Sequence, residues 1–165
     1  MEWNKAIRVD DEGFEISGTN IKVRHNEAID GGGDDDQDGF RINGTGHEVY
    51  ENVAKRFHDD GFDICGDDHM VTNNLAEGNL EDGFDVGGEE GCGADDITLT
   101  GNTAKNNNAV GIEVSSIATD TVVTGNTATG NRSGTADLCN DGTGTIDGGG
   151  NTFGSGGFAT ACIID

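Results

Sequence analysis

One seven-residue phrase returns along this chain at intervals too long for a hairpin and too regular for loops. It reads EGFEISG at 12–18, DGFRING at 38–44, DGFDICG at 60–66 and DGFDVGG at 82–88. Looser copies are VGIEVSS at 110–116, GTADLCN at 134–140 with one extra residue, and GFATACI at 157–163. A second phrase follows most copies: VRHNEA, VYENVA, VTNNLA, LTGNTA, VTGNTA and a degenerate GGGNTF. Its asparagines are Asn26, Asn52, Asn74, Asn102, Asn126 and Asn151, spaced by 26, 22, 28, 24 and 25 residues. A repeat of that length signals a solenoid, in which each unit buries its apolar face only against its neighbours.

Each unit holds two short alternating runs, such as FDI and MVT, joined by glycine-rich or polar corners. Alternation of period two argues strand, and no unit carries a helical stripe. Leucine-rich repeats also use an asparagine ladder, but leucine is scarce here. Calcium-binding nonapeptide rolls need a strict nine-residue period, which is absent. The expectation is an all-β fold, a right-handed parallel β-helix of about six coils, with strands stacked about 4.8 Å apart. Residues 1–165 form one such domain, either whole or a segment of a longer protein.

Three inward columns follow. Phe14, Phe40, Phe62, Phe84 and Ile112 form one. Ile16, Ile42, Ile64, Val86, Val114 and Leu138 form the second, and Val23, Val49, Val71, Leu99 and Val123 the third. The six asparagines should stack at a corner, each bonding its own turn and the equivalent amides above and below. A shorter asparagine column lies five residues on, at Asn79, Asn107 and Asn131.

The pattern N-x-A, about five polar residues, then G-[FI]-x-[IV] resembles the right-handed parallel β-helix repeats of NosD-like and pectate-lyase-like proteins. The resemblance covers residues 12–162 and is specific for architecture. That superfamily includes polysaccharide lyases, epimerases, hydrolases, adhesins and inert scaffolds, so the resemblance implies a fold and leaves the activity open. DGFDICGDDH at 60–69 also resembles mannuronan epimerase modules in its mix of Asp, Phe and His. It departs from their motif, and no mechanism carries over.

The outward position between the Phe and Ile columns reads Glu15, Arg41, Asp63, Asp85, Glu113, Asp137. Asp38, Asp60 and Asp82 form a second acidic column just before the glycines. Asp63, Asp85 and Glu113 are the candidate metal ligands, because Ca²⁺ takes several oxygen donors. With Arg41 they are also the candidate catalytic residues. The other reading is a solvated acidic face that gathers Na⁺ or K⁺ diffusely. Arg41 either pairs with Glu15 and Asp63 or grips a substrate carboxylate with its planar guanidinium. His47 and His69 each lie five residues before a ladder asparagine, so they should stack. They are structural, or a metal or acid–base pair near Asp67 and Asp68. Two insertions, at 31–36 and 87–96, are placed to frame a groove beside the acidic column.

Cys139 and Cys162 share a column, close enough for a disulfide between adjacent coils. Cys92, on the loop of the coil after Cys65, can fold back to it. Two disulfides would imply an oxidising, extracellular or surface location; the alternative is four buried thiols. The opening MEWNKAIRVD has no apolar signal core, so the chain is trimmed or does not use export. No apolar run reaches membrane-spanning length.

Lys and Arg total 9 against 32 Asp and Glu, a net charge of −23. Nucleic acid and membrane insertion are therefore excluded as roles. The first functional expectation is a non-catalytic secreted or surface module that binds polysaccharide or a cell-surface protein. The second is a lyase or epimerase using Asp63, Asp85, Glu113 and Arg41. The absence of an Arg or Lys base in the right column for a lyase, and the small number of coils, favour the first.

The carboxylates are dispersed from Asp10 to Asp147, and only Lys5, Lys22, Lys55 and Lys105 are lysines. That surface resembles those of halophilic proteins, whose self-repulsion weakens where molar salt shrinks the Debye length to about 3 Å. The melting temperature should therefore rise strongly between about 0.05 M and about 2 M NaCl. Equal melting in both would remove the halophilic reading, and micromolar Ca²⁺ doing the same work would replace it with a specific site.

Overall fold

A computed structural model describes residues 1–33, 36–88, 92–132 and 137–154. The chain winds as a right-handed parallel β-helix of about six coils, with three sheets and no helix among the described residues. Every strand pairing is parallel, between equivalent positions of successive coils. Most strands are three residues long, because a polar corner arrives after one apolar alternation.

Each sheet contributes one layer of core. In the phenylalanine sheet the register runs Phe14, Phe40, Phe62, Phe84, Ile112 and Leu138. The four rings stack with centroids 5.0, 4.8 and 4.8 Å apart. The valine sheet aligns Val23, Val49, Val71, Leu99 and Val123. The alanine sheet aligns Ala6, Ala28, Ala54, Ala76, Ala104, Ala128 and Phe153. Alanine is needed there because this sheet backs onto the glycine of each D-G-F phrase. A Cβ on Gly39 would lie 2.5 Å from that of Ala54, and one on Gly61 2.7 Å from that of Ala76.

The six expected asparagines form one continuous ladder. The backbone N–H and the Nδ2 of Asn26 both donate to Oδ1 of Asn52, at 3.0 and 2.9 Å. Asn52, Asn74, Asn102 and Asn126 repeat the arrangement onto the next coil, ending on Asn151. Nδ2 also donates to a valine-sheet carbonyl, as from Asn74 to Val49 at 2.8 Å. Asn4 adds a seventh rung, donating to Asn26 Oδ1 at 2.9 Å. The shorter column repeats the chemistry from Asn79 to Asn107 to Asn131. Phe57 fills its position one coil earlier, buried, with its N–H on Asn79 Oδ1 at 3.1 Å. Gly31 leaves space for that ring, since a Cβ there would meet it at 2.1 Å.

One expected column position is corrected. Leu138 pairs with Ile112 and so continues the phenylalanine column, while Cys139 pairs with Glu113 where Asp137 was expected. This coil lacks the glycine between the aspartate and the apolar residue. Asp137 spans both positions, its carbonyl accepting from Gly111 at 3.0 Å and Ile112 at 3.1 Å. The slip puts the large side chain, fully buried, under Ile112. The last phrase, 157–163, lies outside the described residues.

Removing one rung should be costly, because it strands two buried donors of the preceding coil. Asn74→Ala is expected to lose about 3 kcal/mol or more in urea denaturation. Asn43→Ala, at an exposed site, should change stability by less than about 0.5 kcal/mol. Equal losses would mean that the ladder contributes nothing beyond the strand pairing.

Candidate functional site

The middle residue of each phenylalanine-sheet strand points away from the core. Register places Glu15, Arg41, Asp63, Asp85 and Glu113 in one row. The row is not a solvated face at its centre, for Asp63 is 9% and Asp85 6% exposed. Part of the cover comes from Gly88, at the end of the fourth phrase. Cys92 is bonded to Cys65 with Cα atoms 5.4 Å apart, which ties it to the preceding coil. Gly88 passes so close that a Cβ there would meet Asp63 Oδ1 at 2.6 Å. The expected Cys65–Cys92 bridge is thus present. The Cys139–Cys162 pairing involves Cys162, which lies outside the described residues.

Arg41 anchors one end of the strip. Its Nη1 lies 3.1 Å from Glu12, and its Nε 3.3 Å from Asp38 and 3.4 Å from Asp63. Of the two expected partners, Asp63 makes an ion pair, and the corner residues Glu12 and Asp38 join it.

Asp38, Asp60 and Asp82 form a carboxyl ladder beside this row. Oδ1 of Asp38 accepts from the N–H of Asp60 at 3.1 Å. Asp60 accepts from Asp82 at 2.7 Å, and Asp82 from Val110 at 2.6 Å. One oxygen of each therefore holds the next coil. Burial, then the charges of Asp63 and Asp59, pushes the Asp38 carboxyl up to about 8, against a smaller pull from Arg41. Burial also drives Asp60 and Asp82 well above the usual carboxylate range; Asp82 and Asp85 add to it for Asp60, and Glu113 and Asp85 for Asp82. Asp82 shares a hydrogen bond with Glu113. A carboxyl that holds its proton, as Asp38 does up to about pH 8, donates as well as accepts, whereas a carboxylate only accepts.

Two acidic triads among the described residues bring their ligand oxygens within 4.8 Å of one another: Asp38, Asp59 and Asp60 in the strip, and Asp95, Asp96 and Asp120 on an exposed corner. Asp63, Asp85 and Glu113 stand in register along the strands. Asp59 and Glu12 also belong to the strip and are not foreseen from the repeats, because both lie in corners where alternation carries no information.

His47 and His69 stack, with ring centroids 4.8 Å apart and fully buried. Nδ1 of His47 accepts from the Ile21 N–H at 3.1 Å, and Nδ1 of His69 from the His47 N–H at 3.0 Å. Their Nε2 atoms lie 3.1 Å from the Asn43 carbonyl and 2.9 Å from that of Cys65. Only the neutral ring with its proton on Nε2 satisfies all four contacts. Burial pushes His69 below the usual imidazole value. The pair is a rung-type support with no nitrogen left for metal or proton transfer.

The family model described as periplasmic copper-binding protein (NosD) matches residues 1–155. No curated protein matches the chain. Among solved structures, a double mutant of the periplasmic alginate epimerase AlgG is 16% identical with a TM-score of 0.66, over 90% of this chain and 36% of that one. The catalytic unit of a thermostable GH87 α-1,3-glucanase from Streptomyces thermodiastaticus is 16% identical with a TM-score of 0.47, over 92% of this chain and 43% of that one. The likeness to AlgG is one of fold, and the chain spans well under half the length of either structure.

The raised Asp38 carboxyl has a stability signature. Its folded-state value, about 8, exceeds the ordinary 3.8 of an unfolded aspartate, so its contribution is complete below 3.8 and is lost as pH rises through about 8. Asp38→Asn keeps the side-chain oxygen that Asp60 needs and removes the titration. The variant should gain on the parent by on the order of a few kcal/mol between about pH 4.5 and about pH 8. Urea denaturation of both proteins at the two pH values measures it, and a constant gap would show that Asp38 titrates normally.

Proposed function

The chain belongs to the NosD family, and on that premise we propose that it is an exported β-helix module that binds polysaccharide along the acidic strip of the phenylalanine sheet. The supporting observation is the burial of Asp38, Asp60, Asp63, Asp82 and Asp85 in one place. Buried ionisable groups cost stability, and apolar side chains of similar size would hold these coils together more cheaply. Keeping them makes sense where their oxygens meet a ligand. Sugar hydroxyls both donate and accept, which suits a strip of carboxyls. Arg41 and the partly exposed Glu113 mark its ends.

The family description names copper. Among the described residues no histidine, His58 included, belongs to a close cluster of possible metal ligands, and the donors do not fit copper. Copper favours imidazole and soft sulfur ligands, whereas His47 and His69 are spent on the backbone. Cys65 and Cys92 are bonded to each other, and His25 Nδ1 lies 3.0 Å from Glu51. The close clusters are oxygen-rich, and calcium is the ion that Asp38, Asp59 and Asp60 suit.

A second reading, a lyase or epimerase, draws on the contact between Asp82, whose carboxyl burial pushes well above the usual range, and Glu113, because two neighbouring carboxyls can serve as acid and base. Calorimetric titration with soluble neutral and acidic polysaccharides, with and without Ca²⁺, separates these readings. Saturable binding without products supports the module, and Glu113→Gln or Asp85→Asn should weaken it about tenfold at unchanged circular dichroism. Product formation that Glu113→Gln abolishes would establish the enzyme instead. Absence of binding across the panel overturns both.

A further inference from the structure

The residue before each ladder asparagine has a left-handed backbone: Trp3, His25, Glu51, Asn73, Gly101, Gly125 and Gly150, with φ between 54° and 73°. From the fourth of these onward the chain uses asparagine or glycine, which that conformation favours. The first three rungs carry Trp, His and Glu, of which Trp and Glu go against that preference, as Arg8 and Arg56 do at other corners. A bulky side chain at positive φ is uncommon, so what these side chains touch bears on why they stand there.

These side chains build an aromatic corner. The Trp3 indole stacks on His25, with centroids 4.2 Å apart and planes 14° apart. His25 meets Tyr50 edge-on at 6.1 Å. Arg24 lies over the Tyr50 ring, donates to its hydroxyl at 2.9 Å and pairs with Glu2 at 2.6 Å. Glu51 holds the other side of His25 at 3.0 Å. One indole face is therefore fixed by His25 while Trp3 as a whole stays 74% exposed, and the fringe is polar.

We propose that this corner is a carbohydrate platform, on which a pyranose ring of a neutral glycan stacks against Trp3. The negative face of an indole attracts the polarised C–H bonds on the apolar side of a sugar ring. The surrounding Tyr50, Arg24, Glu2 and Glu51 supply hydrogen-bond partners for equatorial hydroxyls. Charge selects against a polyanion. The positive charge of Arg24 is matched by Glu2, Glu51 stands alongside, and the chain carries −23 overall. The platform lies away from the acidic strip and stands whether or not the strip binds.

Trp3 is the single tryptophan, so its emission reports on this corner alone. The protein would be titrated with cellohexaose, xylohexaose and chitohexaose, with polygalacturonate as the anionic probe. The expected result is a saturable blue shift with at least one neutral oligosaccharide and none with polygalacturonate. In calorimetry Trp3→Ala should weaken that binding about tenfold and Trp3→Phe by less, while Asn43→Ala, at an exposed site that is part of neither candidate surface, leaves it unchanged. No shift with any neutral probe overturns the proposal, even if Glu113-dependent binding is seen at the strip. A shift that instead follows protein concentration and a dimer in sedimentation also overturns it, since a second copy would then be the occupant.

Discussion

The fold depends on one arrangement: a side-chain acceptor in one coil takes the backbone N–H of the equivalent residue in its neighbour. Asparagine Oδ1 does this at two corners, histidine Nδ1 at a third and aspartate Oδ1 beside the phenylalanine sheet. Three-residue strands bury too little to fix register alone. A buried donor left unmet costs more than a met one gains, so each rung penalises any other stacking. The core columns then follow, since Phe40 can sit only between Phe14 and Phe62 once the corners are aligned.

The rungs do not all point the same way. In the asparagine and histidine columns the earlier coil donates to the later side chain. In the aspartate column the later coil donates to the earlier one. A carboxyl used this way keeps one oxygen free of the ladder, as Oδ2 of Asp38 facing Arg41 shows. The same residues are thus both framework and site. That is why the strip sits on this sheet rather than on the valine sheet, whose corner is tied by amides and imidazoles.

Much of this was legible from spacing. Six asparagines and three apolar columns follow from repeat position, and the Cys65–Cys92 bridge is one of the two cysteine arrangements that position allows. What escaped were features set by a neighbour's volume. Phe57 occupies an asparagine position because Gly31 makes room for it. Leu138 shifts one column because a glycine is missing before it. Asp63 and Asp85 face outward by alternation, as read, yet are buried, in part because Gly88 of the next coil passes close over Asp63. Alternation tells which way a side chain points and is silent about what is laid over it. The Trp3–His25 stack was invisible for a related reason, since it depends on backbone twist at a corner.

The second asparagine column ends on Asp137, whose Oδ1 accepts both the N–H and the Nδ2 of Asn131, at 3.1 and 3.0 Å. An asparagine in that place would receive and also pass a side-chain N–H on, whereas an aspartate carries no side-chain N–H. The column is therefore a sentence with a full stop. A gene duplication that copied one internal unit, such as the stretch between Asn79 and Asn107, would insert a coil whose amides read correctly on both sides. The same copy placed after Asp137 would meet a rung without the side-chain donor that every asparagine in the column supplies. Length can thus vary by inheritance within the array while that terminus stays fixed.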